Sequence, residues 1–125
     1  MAEIESITER TIGCIIRVHH ALGPGFLESI YKNALMLELE KEGLRAEQEK
    51  EVQVYYDGVE VGRHRLDILV EDVLVLELKT VEQLSRAHYS QIRSYLKATN
   101  LTNGLLVNFA SAKADFRRVR MDDEN

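Results

Sequence analysis

The chain has 125 residues, 45% hydrophobic and 30% charged, with a formal net charge of −5. That is enough for one core and an ordinary composition for a soluble globular protein. No apolar run approaches the roughly 18 residues of a membrane span, and MAEIESITER lacks the apolar stretch of a signal peptide, so the cytoplasm is the expected compartment. The lone Cys14 excludes four-cysteine zinc or iron–sulfur sites within one chain and reads as a core thiol.

Ile4, Ile7, Cys14, Val18 and Leu22 recur at helical spacing and predict a helix over about 3–21. Gly23-Pro24-Gly25 ends it, since Pro cannot continue a helix. A second helix is expected over about 26–42, with Leu27, Ile30, Tyr31, Ala34 and Leu37 inward and Gly43 as its C-terminal cap. Residues 49–56 alternate as a strand, and Asp57-Gly58 reads as a hairpin turn into a second strand over 59–70. Residues 73–79 (VLVLELK) form a nearly unbroken branched apolar run, the pattern of a buried strand. A helical pattern returns over about 81–98 and is broken at Asn103-Gly104. Residues 104–109 (GLLVNF) read as another buried strand, and 116–121 as a short edge strand. The expected order is α-α-β-β-β-α-β with a final strand, in one domain over 1–121. Residues 122–125 form an acidic, frayed tail.

The charge is unevenly spread. Residues 1–78 hold 8 basic and 16 acidic residues, a net −8; residues 79–120 hold 8 and 2, a net +6; the last five hold three acids. Either these are solvated helix faces, or the later half faces a polyanion through Arg86, Arg93, Lys97, Lys113, Arg117, Arg118 and Arg120.

Glu77 and Lys79 end the most apolar run of the chain, and burying them is costly unless they pair or bind something. On a strand they share one face. On the preceding strand Asp67 shares a face with Arg65 and Leu69. A two-residue connection would set Asp67 opposite Leu76; a three-residue connection over 71–73 sets it opposite Glu77. Opposed residues lie about 5.5 Å apart at Cβ, near enough to share a cation. An odd-length loop or a bulge is therefore expected. Two such carboxylates can hold magnesium with waters completing the octahedron, and Lys79 would serve an attacking water or a phosphate oxygen. The alternative is a plain ion pair between Lys79 and Asp67 or Glu77.

Gly25-Phe26-Leu27-Glu28-Ser29-Ile30-Tyr31 matches the signature that names the GxxExxY family of small bacterial and archaeal proteins. The resemblance runs from about Val18 to Val119. That family resembles a compact branch of the PD-(D/E)xK nuclease superfamily, whose core is α-β-β-β-α-β. The resemblance implies an α/β (α+β) fold, a small mixed sheet flanked by helices in restriction-endonuclease-like order, with an extra N-terminal helix. Asp67, Glu77 and Lys79 fall on the superfamily's Asp and (D/E)-x-K, with Leu66 in place of the Pro before the Asp. Glu28 falls on the acidic residue of the first core helix. Gln91 and Tyr95 fall on the Q-x-x-x-Y of RecB-like members.

These implied residues also have plainer readings. Glu28 can be a capping acid favoured by the helix dipole. Tyr31 can be packing with a tethered hydroxyl. Gln91 and Tyr95 can be surface polar residues, and His19, His20 and His88 helix-end histidines. The expected function is magnesium-dependent hydrolysis of nucleic acid, DNA favoured, with manganese as a substitute metal. Asp67, Glu77 and Glu28 would hold the metal and Lys79 would assist. Gln91, Tyr95, Tyr31, Arg65, Arg86 and Arg93 are the candidate substrate contacts. The rival is an accessory module, binding nucleic acid or protein, that keeps the nuclease fold without efficient turnover. A domain this small leaves room for a homodimer or a protein partner.

Overall fold

The computed structural model describes residues 3–121; the expected acidic tail lies outside them. The elements are α1 (Ile4–Leu22), α2 (Glu28–Lys41), β1 (Ala46–Tyr56), β2 (Val59–Val70), β3 (Leu74–Lys79), α3 (Arg86–Thr99), β4 (Asn103–Asn108) and β5 (Asp115–Arg120). The strands form one mixed sheet in the order β1-β2-β3-β4-β5, with β3 and β4 parallel and every other neighbour antiparallel. The parallel pair requires a crossover, and α3 supplies it.

Strands β3 and β4 are buried on both faces, which is why they read as continuous apolar runs, whereas β1 and the first half of β2 are largely exposed. Ile68, Leu74, Leu76, Leu78, Leu105, Val107 and Phe109 pack against α1 and α2. Leu66, Leu69, Val75 and Leu106 pack against Ile92, Tyr95 and Leu96 of α3. The result is a restriction-endonuclease-like layering, with two helices on one side of the sheet and one on the other.

Turn chemistry follows the sequence. Asp57 and Gly58 have φ of 52° and 74°, the doubly left-handed geometry of a tight hairpin turn. Gly43, just past α2, has φ of 79° as expected of a helix-ending glycine. Cys14 is fully buried, and burial pushes its thiol up toward the neutral form.

Three expectations need correction. The inner face of α2 carries Tyr31, Leu35 and Leu39, whereas Leu27, Ile30 and Leu37 are exposed. Apolar residues stand all round this helix, so periodicity left its face ambiguous. The helix expected from about 81 begins at Arg86, because Ser85 and His88 form a reciprocal capping box there. That same helix ends at Asn100, in the left-handed conformation, and not at Asn103-Gly104. Gly104 lies inside β4 where Ile92 crosses; a Cβ would meet Ile92 Cδ1 at 2.9 Å and the Val75 carbonyl oxygen at 3.2 Å. That glycine serves close packing, not a turn.

Candidate active site

The connection between β2 and β3 is three residues long. Val70 pairs with Leu74, Leu69 with Val75 and Ile68 with Leu76. One step further, the register sets Asp67 opposite Glu77. Glu71 and Asp72 take left-handed φ of 52° and 60°, and Val73 N–H donates to the Val70 carbonyl at 3.0 Å, closing the turn.

The ladder between β2 and β3 stops at Ile68–Leu76, and the Asp67 side chain takes over. Its Oδ2 accepts a hydrogen bond from the Leu78 backbone N–H at 2.7 Å. Strand β2 also rotates here. Leu66 packs on the α3 side and Ile68 on the α1–α2 side, although residues two apart in a regular strand share a face. A carboxylate therefore stands where the strands part, next to the buried Glu77.

Glu77 is 4% exposed. Its Oε2 lies 3.6 Å from Lys79 Nζ, while Oε1 is buried with no hydrogen-bond partner. A buried orphan of this kind is expensive in a native protein. Burial first, then the Asp67 charge, push its carboxyl up to about 8, with Lys79 pulling the other way. Burial likewise raises Asp67, partly offset by the Leu78 N–H and by the Lys32 and Lys79 charges.

Glu28 reaches the same neighbourhood from the first turn of α2. No side-chain hydrogen bond caps the start of that helix, whose N-cap residue is Leu27. The Glu28 carboxyl is raised by burial and by Asp67, against Lys79 and Lys32. From the opposite layer Gln91 Oε1 accepts a hydrogen bond from Lys79 Nζ at 2.9 Å. Tyr95, one turn on, has its hydroxyl pushed up to about 12 by burial and by the Glu77 and Asp67 charges, with a hydrogen bond from Gln91 opposing. Glu28, Asp67, Glu77, Lys79, Gln91 and Tyr95 thus form one electrostatic neighbourhood, drawn from α2, β2, β3 and α3.

The orphaned Glu77 oxygen and the raised carboxyls fit a divalent cation, which would satisfy the one and relieve the repulsion behind the other. Among the described residues, however, no three His, Cys, Asp or Glu side chains converge closely enough to hold an ion together. As the side chains stand, Asp67 Oδ2 is turned to Leu78 and Glu77 Oε2 to Lys79.

Other candidates lie elsewhere. Tyr31 is fully buried, stacked on Phe109 at 4.4 Å. Its hydroxyl donates to the Gly23 carbonyl and accepts from Phe26 N–H, so it ties down the Gly-Pro-Gly turn and offers no surface to a substrate. Arg93 follows Gln91 by two residues, about 200° round the helix, and points to Met121 Sδ. Arg86 and Lys97 share its outward stripe. Arg65 is exposed and paired with Glu49 and Glu51. The basic later half is not one surface: Arg117 pairs with Asp115 and meets Tyr89, while Arg118 pairs with Glu5 across the sheet edge. His19 bonds the Ser111 carbonyl and stacks on Phe109, and His88 belongs to the capping box.

Three residues escaped the sequence reading. Lys32 and Glu49 form an ion pair beside Asp67. Lys32 was detectable as the residue one helical turn after Glu28. Asn108, 1% exposed, bonds both the Val81 N–H and carbonyl, and pins the segment that leaves Lys79. A polar residue within an apolar strand was its signal.

An Asp at the parting of two strands, followed on the next by Glu-x-Lys in a layered mixed sheet, defines a nuclease-like class of domain. A family model described as the PD-(D/E)XK nuclease superfamily matches residues 5–119, and the chain belongs to that superfamily. Its nucleases generally use divalent metal ions. The crystal structure of SSO0001 is similar in fold, with a TM-score of 0.61 and 21% identity over 77% of this chain and 50% of that one. This chain thus spans half the length of that protein. No curated protein matches it. Among the described residues no helix is long and apolar enough to cross a membrane.

Proposed function

We propose that the chain is a magnesium-dependent phosphodiesterase of the GxxExxY branch that hydrolyses nucleic acid, DNA in the first instance, in the cytoplasm. The observation that carries this reading is Glu77: a buried carboxylate with one unpartnered oxygen, opposite Asp67 and beside an ammonium. Among the described residues nothing satisfies that oxygen, and a hard cation would.

Asp67 and Glu77 would hold the ion, with Glu28 reaching it by a side-chain rotation or through water. Bound there, magnesium or manganese would supply an acidified water and positive charge for the phosphoryl oxygens. Lys79 carries the rest. Its ammonium is fixed between Glu77 and Gln91, so it donates in a set direction to a water or a phosphate oxygen. Gln91 orients it by accepting one of its protons. Tyr95 keeps its hydroxyl proton throughout the neutral range, so it can donate that proton in a hydrogen bond but does not act as a base. Arg65 would meet the polyanion backbone by exchanging its Glu49 and Glu51 partners, and Arg86 would meet it only away from the carboxylates, on the outward stripe of α3; such contacts position the backbone without reading sequence.

The test is cleavage of plasmid and single-stranded DNA with magnesium, manganese or EDTA. Wild type should cleave with either metal and not in EDTA. Lys79→Ala and Asp67→Ala should lose about 10²-fold or more. Equal activity in all three proteins would reject these roles.

A second reading is an accessory module that binds nucleic acid or protein without turnover, as a homodimer or with a protein partner. One observation favours it: among the described residues no three metal-ligating side chains converge. A manganese titration separates the two, since the enzyme reading requires binding that is lost on Asp67→Asn.

A further inference from the structure

The β1–β2 ladder carries a bulge near the hairpin tip. Val54 pairs with Gly62 and Tyr55 with Glu60, so Val61 is an extra residue. Bulges bend a strand and re-aim its side chains. In a regular strand Val54 and Tyr55 would point to opposite faces; here both line one cleft between the hairpin and α3. Its volume is about 420 Å³, and Gln53, His64, Ser94 and Lys97 line it with them.

The cleft adjoins the candidate active site. Ser94 stands three residues after Gln91, the partner of Lys79, and its hydroxyl donates to the Gln91 carbonyl at 2.7 Å. Lys97 follows three residues later, about 9 Å along the helix axis from Gln91. The His64 ring meets Tyr95 edge-on at 4.5 Å.

The helical wall of the cleft is positive. Helix α3 holds Arg86, Arg93 and Lys97 and no acid, and among the described residues none of the three has a carboxylate partner. On the hairpin, Glu51 is already paired with Arg63 and Arg65, and Glu60 with Arg63. Tyr55 is 60% exposed, and among the described residues its ring meets no other ring. An open aromatic face beside an unpaired cation suits a nucleic-acid strand, since the ring can stack on a base and the cation can meet a phosphate. A base inside a duplex has both faces covered by its neighbours, so only an unstacked one can reach Tyr55.

We propose that this cleft is a subsite for an unpaired nucleotide of a single strand, with Tyr55 stacked on the base and Lys97 against the phosphate. Gln53, His64 and Ser94 offer hydrogen bonds to the base edge. The proposal deepens the nuclease reading by naming single-stranded nucleic acid as the substrate class; the register with Lys79 rests on that reading, and the binding does not.

The test uses the full chain, a labelled oligothymidylate single strand and a blunt duplex of equal length. Binding is followed by fluorescence anisotropy in EDTA at low salt, and cleavage of the same strand is followed in magnesium and manganese. Wild type should bind the single strand about tenfold tighter than the duplex, and Tyr55→Ala should lose about tenfold, the scale of one base–aromatic stack. Tyr55→Phe should stay within about twofold of wild type because it keeps the stacking face. Tyr56→Ala, at an exposed neighbour that does not line the cleft, should also bind like wild type. Lys97→Ala should weaken single-strand binding and flatten the slope of log affinity against log salt by about 0.7. Absent single-strand binding, a duplex bound as tightly, or equal effects of Tyr55→Ala and Tyr56→Ala overturn the subsite, whether or not the strand is cleaved. Tyr55-dependent binding without cleavage in either metal supports the subsite and defeats the nuclease reading instead.

Discussion

Glu77→Gln in metal-free protein should stabilise the fold at high pH and leave it unchanged at low pH. The folded chain holds the Glu77 proton up to about 8, against an ordinary value of 4.5. Between those values the folded state binds more protons than the unfolded one, so stability falls as pH rises. The burial of an uncompensated carboxylate is the cause, and the neutral amide removes it. At about 1.4 kcal/mol per pH unit the interval sums to an upper limit of about 5 kcal/mol. Relaxation and water entry reduce this, and a gain of about 2 kcal/mol, or roughly 6–10 °C in Tm, is expected at pH 8.5. The assay is thermal and urea unfolding in EDTA from pH 5 to 9. Wild type should lose stability over that range, and Glu77→Gln should lose clearly less. Magnesium should restore wild type at pH 8.5 and do little for the variant. Wild-type stability that stays level or rises from pH 5 to 8.5, or a Glu77→Gln protein weaker at pH 8.5, would refute the reasoning.

Manganese affinity should climb with pH, by up to about tenfold per unit between pH 6 and 8, because the Glu77 proton must leave; calorimetry in buffers of different ionisation heat counts that proton. Gln91→Ala should slow cleavage about tenfold with metal affinity unchanged, since it frees Lys79 without touching the carboxylates; a loss of metal binding would place Gln91 elsewhere in the mechanism. Tyr31→Phe strands the Gly23 carbonyl and Phe26 N–H, and should cost about 1–2 kcal/mol in unfolding experiments. Gly104→Ala should cost about 1–3 kcal/mol by overpacking, with part recovered when Ile92→Val makes room; no recovery would point to the Val75 carbonyl as the obstacle.

The parts of this fold that local chemistry dictates were readable in advance. Alternation fixed which side Glu77 and Lys79 share; bringing Asp67 opposite Glu77 then called for an odd-length loop or a bulge, and the turn has three residues. Asp57-Gly58 and Gly43 announced their turns because few residues tolerate positive φ. Elsewhere the sequence was ambiguous for physical reasons. Helix α2 has apolar residues all round, so its buried face is chosen by packing against α1 and the sheet. Gly104 has the composition of a turn, but its role comes from Ile92, twelve residues earlier on α3. Tyr31 carries a polar handle that could have faced a substrate, and only the folded turn of residues 23–26 shows what it holds. Lys32 and Glu49 belong to different elements, α2 and β1, and meet only where the folded chain packs these together. Whether three carboxylates reach one point depends on rotamers, which no spacing rule encodes.

The most direct test of the central claim is the anomalous difference map of a crystal soaked in manganese. The account predicts one strong peak within about 2.2 Å of Glu77 Oε1, with Asp67 as its second protein ligand. A well-occupied crystal with no density there, or with its manganese held away from both carboxylates, would contradict it.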